Sequence, residues 1–321
     1  MKTDAPLKDY ERCMLAVESA LSLSDEHITP MAQELCNHLL NLGGKRVRAR
    51  MVLLATGACG YACQQGEALA TIVEWLHTAT LLHDDVIDHA EYRRHAECAQ
   101  AIWGNAASIL GGDFLYAQAF KRIAKLQHHE TTATLAQATA DIVEGEIKQL
   151  SRRYELYLDE AIYFDLIGGK TARLFEVSAA LPAIYLNAEK SYVEALKQFG
   201  YHYGLAYQVL DDALDYSQNT TTLGKKQYQD LKDGTCTLPL ILAAKQASES
   251  EREQVTAALK GNVEAQSMTT KLVSTRHGVQ QSIAIANNFC QIAESALRTL
   301  PKSAYVDALL QLLHQVLKRT F

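Results

Sequence analysis

The chain has 321 residues, 48% hydrophobic and 21% charged, with 31 Lys and Arg against 37 Asp and Glu for a net charge of −6. Because nucleic-acid-binding surfaces are normally basic, this acidic balance argues against a nucleic-acid partner. No stretch approaches the roughly 18 uninterrupted apolar residues of a membrane span, and the first residues have no apolar signal core. Seven scattered cysteines are not typical of a secreted disulfide framework. We therefore expect a cytoplasmic protein with no integral membrane segment.

Apolar residues recur at three- and four-residue spacing through most of the chain, which contains only five prolines. This periodicity predicts an all-α protein, with long helices over 66–88, around 199–214 and after Pro301. Turn-forming or charged residues predict loops at 42–44, 57–60, 89–97, 111–112, 168–169 and 217–234, and at Pro301. No linker or change of composition divides the chain, so we predict one domain over residues 1–321. A large bundle of such long helices makes a deep central cavity geometrically possible.

The pattern D-D-x-x-D occurs twice, at Asp84–Asp88 and at Asp211–Asp215. On a helix the first and fifth residues share a face, so each copy projects two carboxylates to one side. Like charges at this spacing repel, which indicates an external cation, although a solvated helix end would also tolerate them. Oxygen ligands without the alternating spacing of an EF-hand fit Mg²⁺, which substrate phosphates commonly complete.

Basic side chains that could hold phosphates lie in four short clusters, at 45–48, 93–94, 170–171 and 225–226. Each of these clusters alone is more typical of an ordinary surface pair than of a phosphate site. Gly169-Lys170-Thr171 resembles the end of a P-loop, but Phe164 stands where a P-loop has glycine, so a P-loop NTPase is rejected. A Glu-x-x-His element at Glu74 and His77 occurs once, whereas di-iron bundles need it twice. His77 is then either a core histidine or a phosphate donor.

These motifs together resemble the trans-isoprenyl diphosphate synthases, in the family's order from about Gly43 to Leu240. The resemblance rests on GGKRVRA, LLHDDVIDHAEYRR, GGKTARLFEVS, YQVLDDALDY and DLKDGTCTLPLI, and HTATLLHDDV, WGNAAS and KTARLFE make it strongest for long-chain members. It implies a homodimeric, all-helical fold with a deep central cavity. There an allylic diphosphate ionises with the help of Mg²⁺, and isopentenyl diphosphate attacks the resulting allylic cation and then loses a proton.

The resemblance also implies roles for individual side chains. It implies that Mg²⁺ bridges the two acidic motifs and that its ligands are Asp84, Asp85, Asp88, Asp211, Asp212 and Asp215. The isopentenyl diphosphate clamp is Lys45, Arg48, His77 and Arg94. The set near the allylic diphosphate and the nascent cation is Arg93, Lys170, Thr171, Gln208 and Lys225.

The chain departs from the family at two positions of the pattern G-K-x-x-G-x-D-L-x-x-G-K-x-T. Tyr228 replaces a glycine and Thr235 replaces a lysine. Loss of this lysine predicts a weaker allylic site, unless Lys226 or Lys232 supplies the charge. The glycine change is expected to reshape the loop.

Product length in this family depends on what blocks the cavity below the first acidic motif. Ala79 and Thr80, five and four residues before Asp84, are both small, which favours a medium-to-long product of about octaprenyl length. Two alternatives remain, a shorter-chain synthase making geranylgeranyl or farnesyl diphosphate and a non-catalytic partner subunit. The second D-D-x-x-D motif disfavours a terpene cyclase. A long product also implies transient membrane contact for its release.

Overall fold

The structure is a computed structural model that describes residues 4–24, 27–93, 96–217 and 227–318, with the backbone alone for 4–7. The helices in chain order are α1 (Asp4–Leu21), α2 (Pro30–Asn41), α3 (Val47–Ala58), α4 (Glu67–Ile87), α5 (Ala99–Trp103), α6 (Asn105–Ala124), α7 (His129–Ser151), α8 (Glu160–Ile167), α9 (Arg173–Tyr185), α10 (Lys190–Asp215), α11 (Gln229–Lys232), α12 (Leu238–Lys245), α13 (Glu249–Leu259), α14 (Val263–Thr275), α15 (Gly278–Leu297) and α16 (Ala304–Leu317). The prediction of an all-α fold is confirmed.

The long helices lie where the apolar periodicity predicts them. α4 and α10 cover the two predicted segments, and α16 is the predicted closing helix after Pro301. The single buried face that the spacing predicts is wrong for the middle of α4, because every residue from 69 to 76 is buried. Half-buried residues follow nearer the end of the helix, as at His77 and Thr80. The loops predicted at 42–44 and at Pro301 are also found.

The loop predicted at Gly111 and Gly112 is wrong, because both residues lie inside α6. A Cβ on Gly111 would stand 2.0 Å from Leu35 Cδ2, and one on Gly112 would stand 2.2 Å from His83 Nε2. These glycines therefore serve close packing of α6 against α2 and α4, which outweighs their low intrinsic helix propensity.

The loop predicted at Gly168 and Gly169 is also wrong. A five-residue π-helical turn, Gly168–Ala172, runs directly from α8 into α9. A Cβ on Gly145 of α7 would stand 2.6 Å from the backbone nitrogen of Lys170, and one on Gly204 of α10 would stand 2.5 Å from Ala172 Cα. Glycine is needed here because backbones, rather than side chains, are in contact.

The chain forms two compact units. Unit 1 comprises Met1–Ala136, Val177–Leu196 and Leu300–Leu309, and unit 2 comprises Gln137–Glu176, Lys197–Thr299 and Leu310–Phe321. In unit 1, α4 packs against α1, α3 and α6. In unit 2, α12 packs against α14 and α15. The single domain over residues 1–321 stays a prediction.

The described strands form one short antiparallel ribbon of two residues each, β1 (Tyr92–Arg93) and β2 (Ala96–Glu97). Arg93 pairs with Ala96, and the ribbon turns the chain back just after α4. Arg93 is thereby returned to the end of α4. In the part of the chain that the structure describes, no helix is both long and apolar enough to cross a bilayer.

Candidate functional site

The first acidic motif lies at the carboxyl end of α4. The helix ends at Ile87, but the backbone N–H of Asp88 still donates to the carbonyl oxygen of Asp84 at 2.8 Å, so the helical turn includes Asp88. Asp84 is half-buried and Asp88 is exposed, one turn apart, as the spacing predicts. Asp85 points elsewhere, and it is fully buried.

Asp85 is bound by Arg93 from the ribbon. Arg93 donates to Asp85 Oδ1 through Nε at 2.8 Å and through Nη2 at 2.6 Å. Burial lowers the pKa of Arg93, but the hydrogen bond and charge of Asp85 more than offset it, so the net shift is upward. Two residues predicted for different ligands, one for the metal and one for the allylic diphosphate, thus form an ion pair between a fully buried carboxylate and a half-buried guanidinium. Asp85 Oδ2 is buried and accepts no hydrogen bond from the described residues.

The second acidic motif lies at the carboxyl end of α10, and its second aspartate is again the buried one. Asp212 is 5% exposed, whereas Asp211 and Asp215 are half-buried. Among the residues that the structure describes, no cationic side chain pairs with Asp212. Tyr163 Oη donates to its Oδ2 at 2.6 Å, and Gln208 Nε2 donates to its Oδ1 at 2.7 Å.

The pKa of Asp212 differs strongly from that of an ordinary aspartate. Burial and the charges of Asp211 and Asp215 raise it to about 7, against the hydrogen bonds from Tyr163 and Gln208, which lower it. A cation close to this motif would stabilise the charged form of all three carboxylates. The electrostatics of the second motif therefore favour binding of a metal ion.

Three residues that the sequence predicted separately form one hydrogen-bonded chain in unit 2. Thr171 Oγ1 donates to Gln208 Oε1 at 2.9 Å, and Gln208 in turn donates to Asp212. Tyr163 completes the chain from the other side of Asp212. Sequence reasoning missed Tyr163, because no motif marks a buried tyrosine on a different helix.

Lys170, next to Thr171 in the π-helical turn, is bound to Glu146 of α7. Lys170 Nζ lies 2.9 Å from Glu146 Oε2. Sequence reasoning also missed Glu146. The one signal was Gly145 inside an otherwise regular helix, since an isolated helical glycine often marks a close backbone contact.

Asp215 has a structural contact besides its predicted metal role. Its Oδ1 accepts from the backbone N–H of Gln229 at 3.0 Å and its Oδ2 from that of Asp230 at 3.1 Å. The carboxylate thus satisfies the first N–H groups of α11, where negative charge is also favoured by the helix dipole.

Tyr228, which replaces a family glycine, precedes α11 in a left-handed conformation, with φ 57° and ψ 35°. Such a conformation costs a non-glycine residue about 1–2 kcal/mol. The expected reshaping of the loop is therefore not needed at this residue, which takes up the backbone that glycine prefers. Its ring packs on Tyr216 with a centroid distance of 5.8 Å.

The second departure, Thr235, is half-buried, and its backbone N–H donates to Asp230 O at 2.8 Å. Lys232 is exposed, and its Nζ donates to Gln227 O at 2.8 Å. Lys226, the other candidate for replacing the missing lysine, lies outside the described residues, as does Lys225.

In unit 1, two of the residues predicted to clamp isopentenyl diphosphate, Lys45 and Arg48, flank a buried arginine. Arg46 has φ 44°, and it donates to Glu18 Oε1 at 3.0 Å and to the carbonyl oxygen of Leu40 at 2.5 Å. Its Nη1 also forms an ion pair with Glu74 Oε2, at 3.6 Å. Glu74 Oε1 also accepts from the backbone N–H of Ala49 at 3.0 Å, in the first turn of α3. Glu74 therefore stabilises the loop and helix start instead of forming half of a metal site.

Lys45 is exposed and Arg48 half-buried, on either side of this anchored position. His77 is half-buried on α4. The fourth residue of the predicted clamp, Arg94, lies outside the described residues.

The face of α4 that carries Asp84 continues back along the helix. His77 and Thr80 are half-buried, like Asp84, and lie seven and four residues before it. Thr80 Oγ1 donates to His77 O at 2.8 Å. Ala79 is fully buried, so the two predicted chain-length residues have different surroundings.

The donor set of each motif suits a divalent ion that keeps part of its own hydration. Among the described residues, no group of three His, Cys, Asp or Glu side chains is arranged to hold a metal by itself. Magnesium is commonly bound by one or two carboxylates, with water and substrate phosphates as the other ligands. The carboxylate pairs Asp84 with Asp88 and Asp211 with Asp215 fit this pattern.

Comparison with known proteins adds sequence and structural relatives. An octaprenyl diphosphate synthase of Haemophilus influenzae is 36% identical over 294 residues, which cover 91% of this chain and 89% of the relative. A decaprenyl diphosphate synthase structure from Rhodobacter capsulatus has a TM-score of 0.92 at 33% identity, covering 99% of each chain.

A polyprenyl synthase structure from Caulobacter crescentus, complexed with calcium and isoprenyl diphosphate, has a TM-score of 0.89 at 34% identity. The match covers 99% of this chain and 98% of that structure. The family model described as polyprenyl synthetase matches residues 29–276, which include both acidic motifs. The chain belongs to the polyprenyl synthetase family.

Proposed function

We propose that this protein is a trans-polyprenyl diphosphate synthase, which transfers an allylic prenyl group to successive molecules of isopentenyl diphosphate and makes a medium-to-long chain. The observation that carries the proposal is the shared construction of the two D-D-x-x-D motifs. In each motif the second aspartate is buried and held, so that the first and fifth carboxylates project from the end of a long helix.

The metal in this proposal is Mg²⁺, and the residues that would hold it are Asp84 and Asp88 in one motif and Asp211 and Asp215 in the other. The buried members Asp85 and Asp212 complete the motifs as ligands or as supports. When bound, the metal supplies positive charge that stabilises a departing diphosphate. The Caulobacter crescentus structure is complexed with calcium and isoprenyl diphosphate, which supports use of a divalent ion together with a diphosphate.

Cationic and polar side chains of the chain then act on the allylic diphosphate. Lys170 binds phosphate oxygens as a point charge, and Arg93 adds guanidinium donors in a fixed geometry. Thr171 and Gln208 are held in one hydrogen-bonded chain, which fixes their dipoles near the developing allylic cation. Lys225, outside the described residues, is proposed to join this set.

The second substrate, isopentenyl diphosphate, is proposed to bind to Lys45, Arg48, His77 and Arg94. As the allylic C–O bond breaks, its electron pair remains on the diphosphate. The alkene of isopentenyl diphosphate attacks the allylic carbon, and the proton lost afterwards passes to the released diphosphate. This route requires no dedicated basic side chain.

Product length is proposed to be about octaprenyl. Thr80 is small and shares the half-buried face of α4 with Asp84, so it leaves room for a growing chain. The preceding residue, Ala79, also has a small side chain. Replacing Thr80 or Ala79 by Phe should shorten the product. An unchanged product length in both variants would place the limiting residues elsewhere.

We also propose that the protein acts as a homodimer in the cytoplasm, with transient membrane contact when a long product is released. In unit 2, α7 exposes Val143, Ile147 and Leu150 by 43%, 56% and 54%, at the spacing of one helix face. An exposed apolar stripe of this kind is typical of a subunit interface. The reducing cytoplasm suits a chain with an odd number of cysteines.

The test is incubation of the purified protein with farnesyl diphosphate, labelled isopentenyl diphosphate and Mg²⁺, followed by chromatographic sizing of the dephosphorylated products. A ladder that ends near octaprenyl supports the proposal. A stop at geranylgeranyl would favour the shorter-chain alternative. Absence of incorporation with several allylic primers would contradict catalysis and favour a partner subunit. In the same assay, Thr235→Lys should lower the KM for the allylic substrate, and an unchanged KM would contradict a weakened allylic site.

A further inference from the structure

The pair formed by Lys170 and Glu146 differs from a second lysine–carboxylate pair that also uses α7. Both pairs have an N–O distance of 2.9 Å, but the Lys170 and Glu146 side chains are 29% and 20% exposed, whereas Lys148 and Asp165 are 42% and 63% exposed. Because water screens an exposed pair more strongly, Glu146 is coupled to Lys170 more tightly than Asp165 is to Lys148.

Glu146 is brought to Lys170 by contact between two backbones. A Cβ on Gly145 would stand 2.6 Å from the Lys170 nitrogen and 3.0 Å from the Gly169 carbonyl carbon, and one on Gly169 would stand 3.1 Å from Asp141 O. The position of Glu146 relative to Lys170 is therefore set by the packing of α7 on the π-helical turn. Such π-turns within helices are frequent at functional sites.

The same turn is held on its other side by α10, also within unit 2. Gly204 allows Ala172 to approach closely, and Thr171 donates to Gln208, which donates to Asp212. The adjacent residues Lys170 and Thr171 of this turn thus belong to two separate sets of hydrogen bonds. Lys170 belongs to the one that ends in Glu146, and Thr171 belongs to the one that ends in the second acidic motif.

We propose that Glu146 is a positioning residue of the prenyl transfer reaction, which holds the Lys170 ammonium where it meets the allylic diphosphate. This inference rests on the proposed function of Lys170. An ammonium has three donors, so its bond to Glu146 is compatible with bonds to phosphate oxygens. The carboxylate restricts a long, flexible side chain and offsets part of its charge, which favours release of the diphosphate after transfer.

A double-mutant cycle tests whether Glu146 acts through Lys170. We expect Glu146→Ala to lower kcat/KM for the allylic diphosphate about 10-fold in the parent protein but less than about 2-fold in a Lys170→Ala background. Equal effects in the two backgrounds would overturn the proposal. So would an effect of Glu146→Ala confined to the KM for isopentenyl diphosphate.

The conservative variant Glu146→Gln separates positioning from charge, because its amide oxygen can accept the same hydrogen bond. We expect it to keep kcat/KM for the allylic diphosphate within about 3-fold of the parent while binding inorganic pyrophosphate with Mg²⁺ more tightly. A loss as large as that of Glu146→Ala, with unchanged thermal unfolding, would contradict this. Asp165→Asn, which breaks the exposed pair, is the matched control and should change neither quantity.

Failure of the proposed function can be told apart from failure of this inference. If the parent protein incorporates no isopentenyl diphosphate, the proposed function is wrong. In that case, the affinity of the same variants for inorganic pyrophosphate with Mg²⁺ is measured by calorimetry. Dependence of the Glu146 effect on Lys170 in that affinity would still support the positioning role. Independence of the two substitutions would overturn it.

Discussion

The two acidic motifs have the same five-residue pattern and the same burial of the second aspartate, yet the buried charge is handled differently. In the first motif Asp85 is paired with the guanidinium of Arg93. In the second motif Asp212 is held by the neutral donors Tyr163 and Gln208, and burial raises its pKa to about 7. The buried carboxylate of the first motif is thus neutralised by an arginine, whereas the buried carboxyl of the second motif has only neutral hydrogen-bond donors among the described residues, and its pKa is raised.

The comparison predicts that the outer carboxylates of both motifs are essential despite this difference. Asp84→Asn and Asp211→Asn should each lower kcat/KM at least about 100-fold at saturating Mg²⁺. Each removes a proposed ligand of the metal that stabilises the negative charge developing on the diphosphate. Steady-state assays with labelled isopentenyl diphosphate measure this. Glu264→Gln, an exposed carboxylate at the start of α14, is the control and should behave like the parent. Full activity of either aspartate variant would mean that its motif does not bind the metal.

The buried partners should differ in their contribution to stability. Arg93→Ala leaves the fully buried Asp85 without its cation and should lower the free energy of unfolding by about 2–4 kcal/mol. Tyr163→Phe removes one neutral hydrogen bond to Asp212 and should cost about 1–2 kcal/mol. Urea unfolding without substrate measures both. A larger loss for Tyr163→Phe would reverse the proposed difference between the motifs.

The pKa of Asp212 predicts a pH dependence that belongs to the second motif. Its pKa lies at about 7 in the folded chain, above the ordinary 3.8, so folding favours the protonated carboxyl. The stabilisation is complete below about pH 4 and is lost as pH rises towards 7. Thermal unfolding of the metal-free protein should show Asp212→Asn losing less stability than the parent between pH 5 and pH 8. Parallel curves for the two proteins would contradict this origin.

A smaller effect is expected beside the second motif, at Tyr228. Tyr228→Gly relieves the left-handed backbone but loses the ring contact with Tyr216, whereas Tyr228→Ala loses the contact and keeps the strain. The Gly variant should therefore be more stable than the Ala variant by about 1 kcal/mol. Urea unfolding of the two variants compares them directly. Equal stability would mean that the backbone conformation at this residue carries no cost.

Local patterns were sufficient for the helices and for the outer carboxylates. The predicted segment 66–88 differs from α4 by one residue at each end, and Asp84 and Asp88 lie one turn apart as their spacing requires. Both features follow from the geometry of a single helix, which depends only on residues close together along the chain. The glycines at 111–112 and 168–169 misled the prediction, because their function is contact with other helices.

The sequence by itself therefore determined the all-α class, the family motifs and the faces on which their residues lie, since these depend on neighbours within a few residues along the chain. The tertiary structure decided which side chains meet. Arg93 reaches Asp85 only through the ribbon that follows α4, and Glu146 reaches Lys170 only because Gly145 lets two backbones touch. Such pairs depend on how separate elements pack, and residue spacing does not record packing between them.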